Sequence, residues 1–116
     1  MIKKNKNNGE ELNDGKLFYG TKKTLRDEKK KIFGNTFNEN GYLKYKVKSF
    51  KFDDFTNYFG IESRVDIKVQ VYNVKDLSKS HLIKIDEDYF DIIQADKDKT
   101  KRFMFLYLQK RGGLDD

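Results

Sequence analysis

Apolar and polar side chains alternate along most of this chain. Leu43, Tyr45 and Val47 are interleaved with Lys44, Lys46 and Lys48, and Val65, Ile67, Val69 and Val71 with Asp66, Lys68 and Gln70. A period of two places one set on each face of an extended strand, so both stretches predict β-strands. Residues 16–22 read as a first strand and residues 82–85 as a short one. The acidic turn Asp86, Glu87 and Asp88 leads into a further strand at residues 89–93. The last strand, residues 102–109, is apolar on both faces, which predicts burial on both sides or a place at a subunit interface. Residues 24–31 carry too much charge for a core element and read as a hairpin loop or an exposed turn of helix. Residues 35–41 and 96–100 read as turns.

The alternation breaks between residues 50 and 60. Phe52, Phe55 and Phe59 fall at i, i+3 and i+7, a helical stripe. Asp53 or Asp54 offers an N-terminal carboxylate and Gly60 a stop. A helix of two turns fits, and one so short needs a surface to pack on. The stripe serves either as core or as a mobile segment that docks elsewhere. Regularly spaced turns between short strands predict a mainly β fold. We expect a small β-barrel or sandwich of about six strands, with one short helix or long loop between the second and third strands. Residues 1–14, almost without apolar side chains, read as a flexible N-terminal arm. Residues 15–111 read as a single β-barrel domain and residues 112–116 as a short acidic tail.

Composition narrows the chemistry. The 116 residues include ten Phe and seven Tyr, enough aromatic area for a small core in a chain with 38% charged residues. There is no Cys, which excludes disulfides, a thiol nucleophile and thiolate metal ligands. His81 is the one histidine, so a multi-histidine metal site cannot form within one chain. No run of about 18 apolar residues predicts a membrane helix. Residues 1–8 lack the apolar stretch of a secretory signal. The net charge of +6 comes almost entirely from lysine. Lysine attracts phosphates without reading bases, so sequence-specific recognition is disfavoured while non-specific attraction stays open.

No residue pattern points to catalysis. Asp86, Glu87, Asp88 and Asp91 form the densest acidic cluster, but the sixth and twelfth positions counted from Asp86 are Asp91 and Lys97, which fails the calcium-loop pattern. Ser80 and His81 are neighbours and would point to opposite faces of a strand. We expect a non-enzymatic protein without a cofactor. The row Lys44, Lys46 and Lys48, spaced roughly 7 Å apart, is the candidate binding face together with Lys51. It suits solvent, an acidic partner or DNA. Tyr45 falls on the opposite face, which speaks against a base-stacking platform.

From Gly15 onward the order of features resembles the head-closure, or head-tail joining, proteins of long-tailed bacteriophages, over about four fifths of the chain. The resemblance rests on an opening strand with Leu17, Phe18, Tyr19 and Gly20, and on Gly41 to Ser49 entering the aromatic and acidic segment. It continues with Arg64 to Val69 and ends on Ile83 to Asp86, Tyr89 to Ile93 and Phe105 to Gln109. Many members carry Trp and Pro-Leu-Ser-Gly motifs that this chain lacks, so it is similar to a divergent branch. The resemblance implies a virion protein that forms a homo-oligomeric ring in the assembled particle, beneath a portal and its adaptor. The ring joins the DNA-filled capsid to the tail and helps retain DNA. It also implies a channel loop or docking segment here carried by Phe52, Asp53, Asp54, Phe55, Tyr58 and Phe59. The expected partners are portal or adaptor and tail proteins, with non-specific contact to packaged DNA and no membrane. Localisation would be the virion, and the host cytoplasm during assembly. The alternative is a small-barrel, non-specific nucleic-acid-binding protein.

Overall fold

The computed structural model describes residues 12–49 and 65–114. Six strands follow one another: β1 (Gly15–Arg26), β2 (Ile32–Lys48), β3 (Ile67–Tyr72), β4 (Leu82–Ile85), β5 (Asp88–Lys97) and β6 (Phe103–Arg111). All pairings are antiparallel, and the order β1-β2-β3-β6-β5-β4 closes into a barrel through the short β1–β4 contact at residues 18–20. Closure removes sheet edges, which an open six-stranded sheet would leave exposed. The fold is therefore the expected small β-barrel. No helix occurs among the described residues. The helix or loop expected after the second strand lies outside them.

The alternation read from sequence becomes the two faces of the barrel wall. Leu17 of β1, Val69 and Val71 of β3, Ile83 and Ile85 of β4, Phe90 and Ile92 of β5, and Met104, Leu106 and Leu108 of β6 form the interior, with Leu77 closing from the β3–β4 connection. Tyr19, Leu43, Tyr45 and Ile67 pack against this cluster from the same face. β6 sits between β3 and β5, and its outer face is covered as well, since Phe103 and Tyr107 are buried. That accounts for its apolar character on both faces.

Three turn expectations are corrected, the smallest being at residues 96–97, which are the end of β5 and pair with β6. Residues 24–26 are strand, and the turn is confined to residues 27–31. Residues 35–41, rich in Asn and Gly, are not a turn but the middle of β2, which runs unbroken for 17 residues. Pairing with β1 along its whole length outweighs the poor intrinsic strand propensity of these residues. The propensity is felt at one point, a register shift between Tyr19 and Gly20 that leaves Asn40 without a partner. This is a β-bulge, and it bends the ribbon. Both bulge neighbours are glycines for steric reasons. A Cβ on Gly20 would overlap the Asn38 carbonyl, and one on Gly41 would meet the Tyr19 hydroxyl at 2.7 Å.

Beyond the bulge, residues 21–26 of β1 pair with β2 alone, as do the residues of β2 opposite them. The result is a two-stranded ribbon reaching about 20 Å past the β1–β4 contact at ~3.3 Å per residue. Its reach explains a radius of gyration of 16.4 Å and extents of 61 × 38 × 23 Å; a compact chain of about a hundred residues has a radius near 13 Å. On the way the ribbon leans over β5, where Phe37 meets Tyr89.

Candidate nucleic-acid and partner interface

The lysine row of β2 lies on the outside of the barrel and is wider than the sequence indicates. Lys44 stands opposite Lys16 of β1, Lys46 opposite Gln70 and Lys48 opposite Lys68 of β3. Directly opposed residues share a face, so five lysines from three strands occupy one outer surface. Linear reading could not find Lys16 or Lys68, because the register that brings them beside β2 is set by pairing across the sheet. Lys51 and the segment containing Phe52, Asp53, Asp54, Phe55, Tyr58 and Phe59 lie outside the described residues.

Aromatic rings share this surface. Tyr42 is two residues before Lys44 on the same face and is 56% exposed. The Lys16 ammonium sits 4.4 Å from the Tyr42 ring centroid, and Phe18 contacts the same ring at 6.3 Å. On the β3 side the Lys68 ammonium lies 5.0 Å from the centroids of both Phe105 and Tyr107. Cation–π contacts of this kind hold long lysine side chains down on the wall. Tyr72, 48% exposed, stacks on Phe103 at 5.2 Å. Between these groups Gln70 is buried, and its Oε1 has no hydrogen-bond partner.

The inward face of β2 departs from the expected pattern at one end. Leu43 and Tyr45 pack on the core, but Val47, although opposite Val69, is 47% exposed. It lies at the barrel mouth, where the wall ends. There the backbone of β2 is tied by Asp14, whose carboxylate accepts from the Val47 N–H at 2.7 Å and whose own N–H donates to the Tyr45 carbonyl at 2.9 Å. Leu12 is buried just before it. Residues 12–14 are thus laid along the barrel, and Leu12, Asn13, Gly15, Lys16 and Lys44 line a shallow depression. Burial, followed by the charges of Asp86 and Asp14, raises the Tyr45 hydroxyl above the usual tyrosine range. The phenol stays protonated at neutral pH.

Two members of the acidic cluster, Asp88 and Asp91, are held in ion pairs. Asp88 faces Lys110 at 3.5 Å across exposed surface, and Asp91 accepts from Arg111 Nη1 at 2.9 Å. Arg111 also donates to the carbonyls of Gly113 at 2.7 Å and Leu114 at 3.5 Å, which fixes the chain after β6. No group of three or more metal-capable side chains occurs among the described residues. In the β5–β6 turn, partial desolvation of the Asp98 carboxyl is outweighed by hydrogen bonds from Thr100 and from the backbone of Phe103, Arg102 and Lys101. Its pKa is lowered. His81 serves its own turn: its Nδ1 accepts from the Ser78 N–H at 3.3 Å and its ring meets Tyr19 edge-on at 6.0 Å.

No family model matches the chain, and no curated protein matches it. A solved structure does. The solution structure of protein SF1141 from Shigella flexneri 2a, a structural genomics target, superposes with a TM-score of 0.63 at 16% identity. The match covers 84% of this chain and 91% of that one. At that identity the likeness shows a shared fold.

Proposed function

We propose that the protein is a structural subunit of a phage or prophage virion, a head-closure or head-tail connector that assembles in a ring between the DNA-filled capsid and the tail and helps retain DNA. Its partners are the portal or adaptor and tail proteins, and its place is the virion after assembly in the host cytoplasm. The observation that carries the reading is the β1–β2 ribbon, which leaves the closed barrel and pairs with no third strand among the described residues. A ring needs two different surfaces on each subunit that fit each other head to tail. A barrel wall on one side and an extended ribbon on the other supply such a pair, and strand edges accept strands from neighbours. The sequence resemblance to head-closure proteins supports the same reading.

The test is genetic and structural. Deleting the gene from a phage or inducible prophage that carries it should leave heads without tails and reduce infectious yield by orders of magnitude. Complementation with the full chain should restore both. Normal virions from the deletion overturn the reading. A second reading, a small-barrel non-specific nucleic-acid-binding protein, is favoured by Tyr42, which is exposed beside Lys16 and Lys44. Exposed aromatics in a basic surface stack single-stranded bases. A salt-dependent affinity for single strands that Tyr42→Ala abolishes, in a protein dispensable for virion assembly, decides for it.

A further inference from the structure

The tip of the β1–β2 ribbon holds most of the chain's charge imbalance. Within residues 22–31, six cations (Lys22, Lys23, Arg26, Lys29, Lys30 and Lys31) face two carboxylates, Asp27 and Glu28. The difference, +4, is two thirds of the net +6, carried by ten residues of which all but Leu25 and Thr24 are charged. All eight charged side chains are exposed.

The tip is also a built turn. The Asp27 carboxylate accepts from the N–H groups of Lys29 at 2.9 Å and Lys31 at 2.8 Å. Backbone bonds join Asp27 to Lys31 and Lys30 to Asp27, each at 2.9 Å. Lys30 takes a left-handed conformation with φ of 65°, and its carbonyl accepts from Arg26 Nη1 at 3.1 Å. Asp27 and Arg26 are thereby committed to holding the turn. Five lysine ammoniums remain directed at solvent on a ribbon that Phe37 anchors to Tyr89.

We propose that this arm is a docking element for the phosphate backbone of duplex DNA. A two-stranded ribbon is narrow enough to enter or bridge a major groove. Lysines set on a fixed turn neutralise phosphates and release condensed counterions, which is the main source of non-specific affinity. An acidic protein surface is the less suitable partner. Protein interfaces are depleted in lysine and enriched in arginine and aromatics at their centre; the stretch 22–31 contains no aromatic and a single arginine, one of whose N–H groups holds the turn. The site is separate from the Lys44, Lys46 and Lys48 face, and it stands whether or not the connector reading does.

The test uses the full chain and a labelled random-sequence duplex of about 30 bp, titrated between about 50 and 200 mM salt. The wild type should bind with a log–log salt slope of roughly −4, the value for about four phosphates neutralised. The triple variant Lys29→Gln/Lys30→Gln/Lys31→Gln should bind at least about tenfold more weakly at the lowest salt and flatten the slope by about 2. The strand variant Lys22→Gln/Lys23→Gln should flatten it by about 1, and Lys44→Gln/Lys46→Gln/Lys48→Gln should leave it unchanged. Circular dichroism and the melting temperature report that each variant is folded. No binding by the wild type, a wild-type slope in both tip variants, or a slope lost only in the face variant overturns the proposal. So does polyglutamate binding as tightly as the duplex through the same tip lysines, which would assign the arm to an acidic protein. Because the assay needs no ring, its failure leaves the virion test to judge the connector reading separately.

Discussion

Phe37 of β2 and Tyr89 of β5 lie with ring centroids 5.8 Å apart and planes inclined at 54°, although no backbone pairing joins their strands. Each belongs to a different part of the molecule, Phe37 to the ribbon beyond the bulge and Tyr89 to the barrel wall. The contact joins the ribbon to the barrel wall outside the backbone ladder. An aromatic pair in this range contributes about 1 kcal/mol beyond the area it buries. Phe37→Ala should therefore destabilise the protein by about 1 to 2 kcal/mol, measured by denaturant unfolding. The decisive reading is local: amide exchange in residues 21–26 should accelerate more than in β3 or β6. Uniform acceleration throughout the barrel would show that the contact does not anchor the ribbon.

The bend itself depends on Gly20. A methyl group there would overlap the carbonyl of Asn38, and backbone cannot rotate away as a side chain can. Gly20→Ala is expected to cost about 2 to 3 kcal/mol and to lower Tm by roughly 10 to 20 °C. A melting temperature within a few degrees of the wild type would mean that the bulge shifts register at little cost.

Tyr45 provides a pH signature. Its hydroxyl is raised by burial, then by Asp86 and Asp14, so the folded state holds the phenolic proton more tightly than the unfolded chain does. The contribution is fully present below the unfolded tyrosine value near 10 and is lost as pH rises through the higher folded value. Wild-type stability should therefore fall between the unfolded and the folded value, and Tyr45→Phe should fall less steeply over the same window. Parallel curves for the two proteins would assign the alkaline loss to other groups.

The strands that sequence reading found best are those whose partners were not needed to define them. Ile67, Val69 and Val71 alternate with Lys68 and Gln70, and the structure sends the first set inward. β6 announces its two covered faces in the run from Phe103 to Leu108. Residues 35–41 misled because Asn and Gly report local preference, while the β1–β2 ladder is closed by bonds to residues 11 to 22 positions away. The candidate face was half legible. Lys44, Lys46 and Lys48 share a face by period alone, and so does Tyr42 once β2 is seen to run through it, but Lys16 and Lys68 join them only through register.

The chain by itself determines that this protein is a small β fold, because period-two patterning allows a strand just one way to bury its apolar side. It also determines a basic, lysine-borne surface charge and the absence of thiol chemistry. The closure of the sheet between β1 and β4, the bend at Gly20 and the ribbon that carries the charged tip away from the wall were decided by tertiary structure. Each depends on which residues stand opposite one another across strands distant in sequence, and that register is a property of the packed barrel rather than of any local stretch.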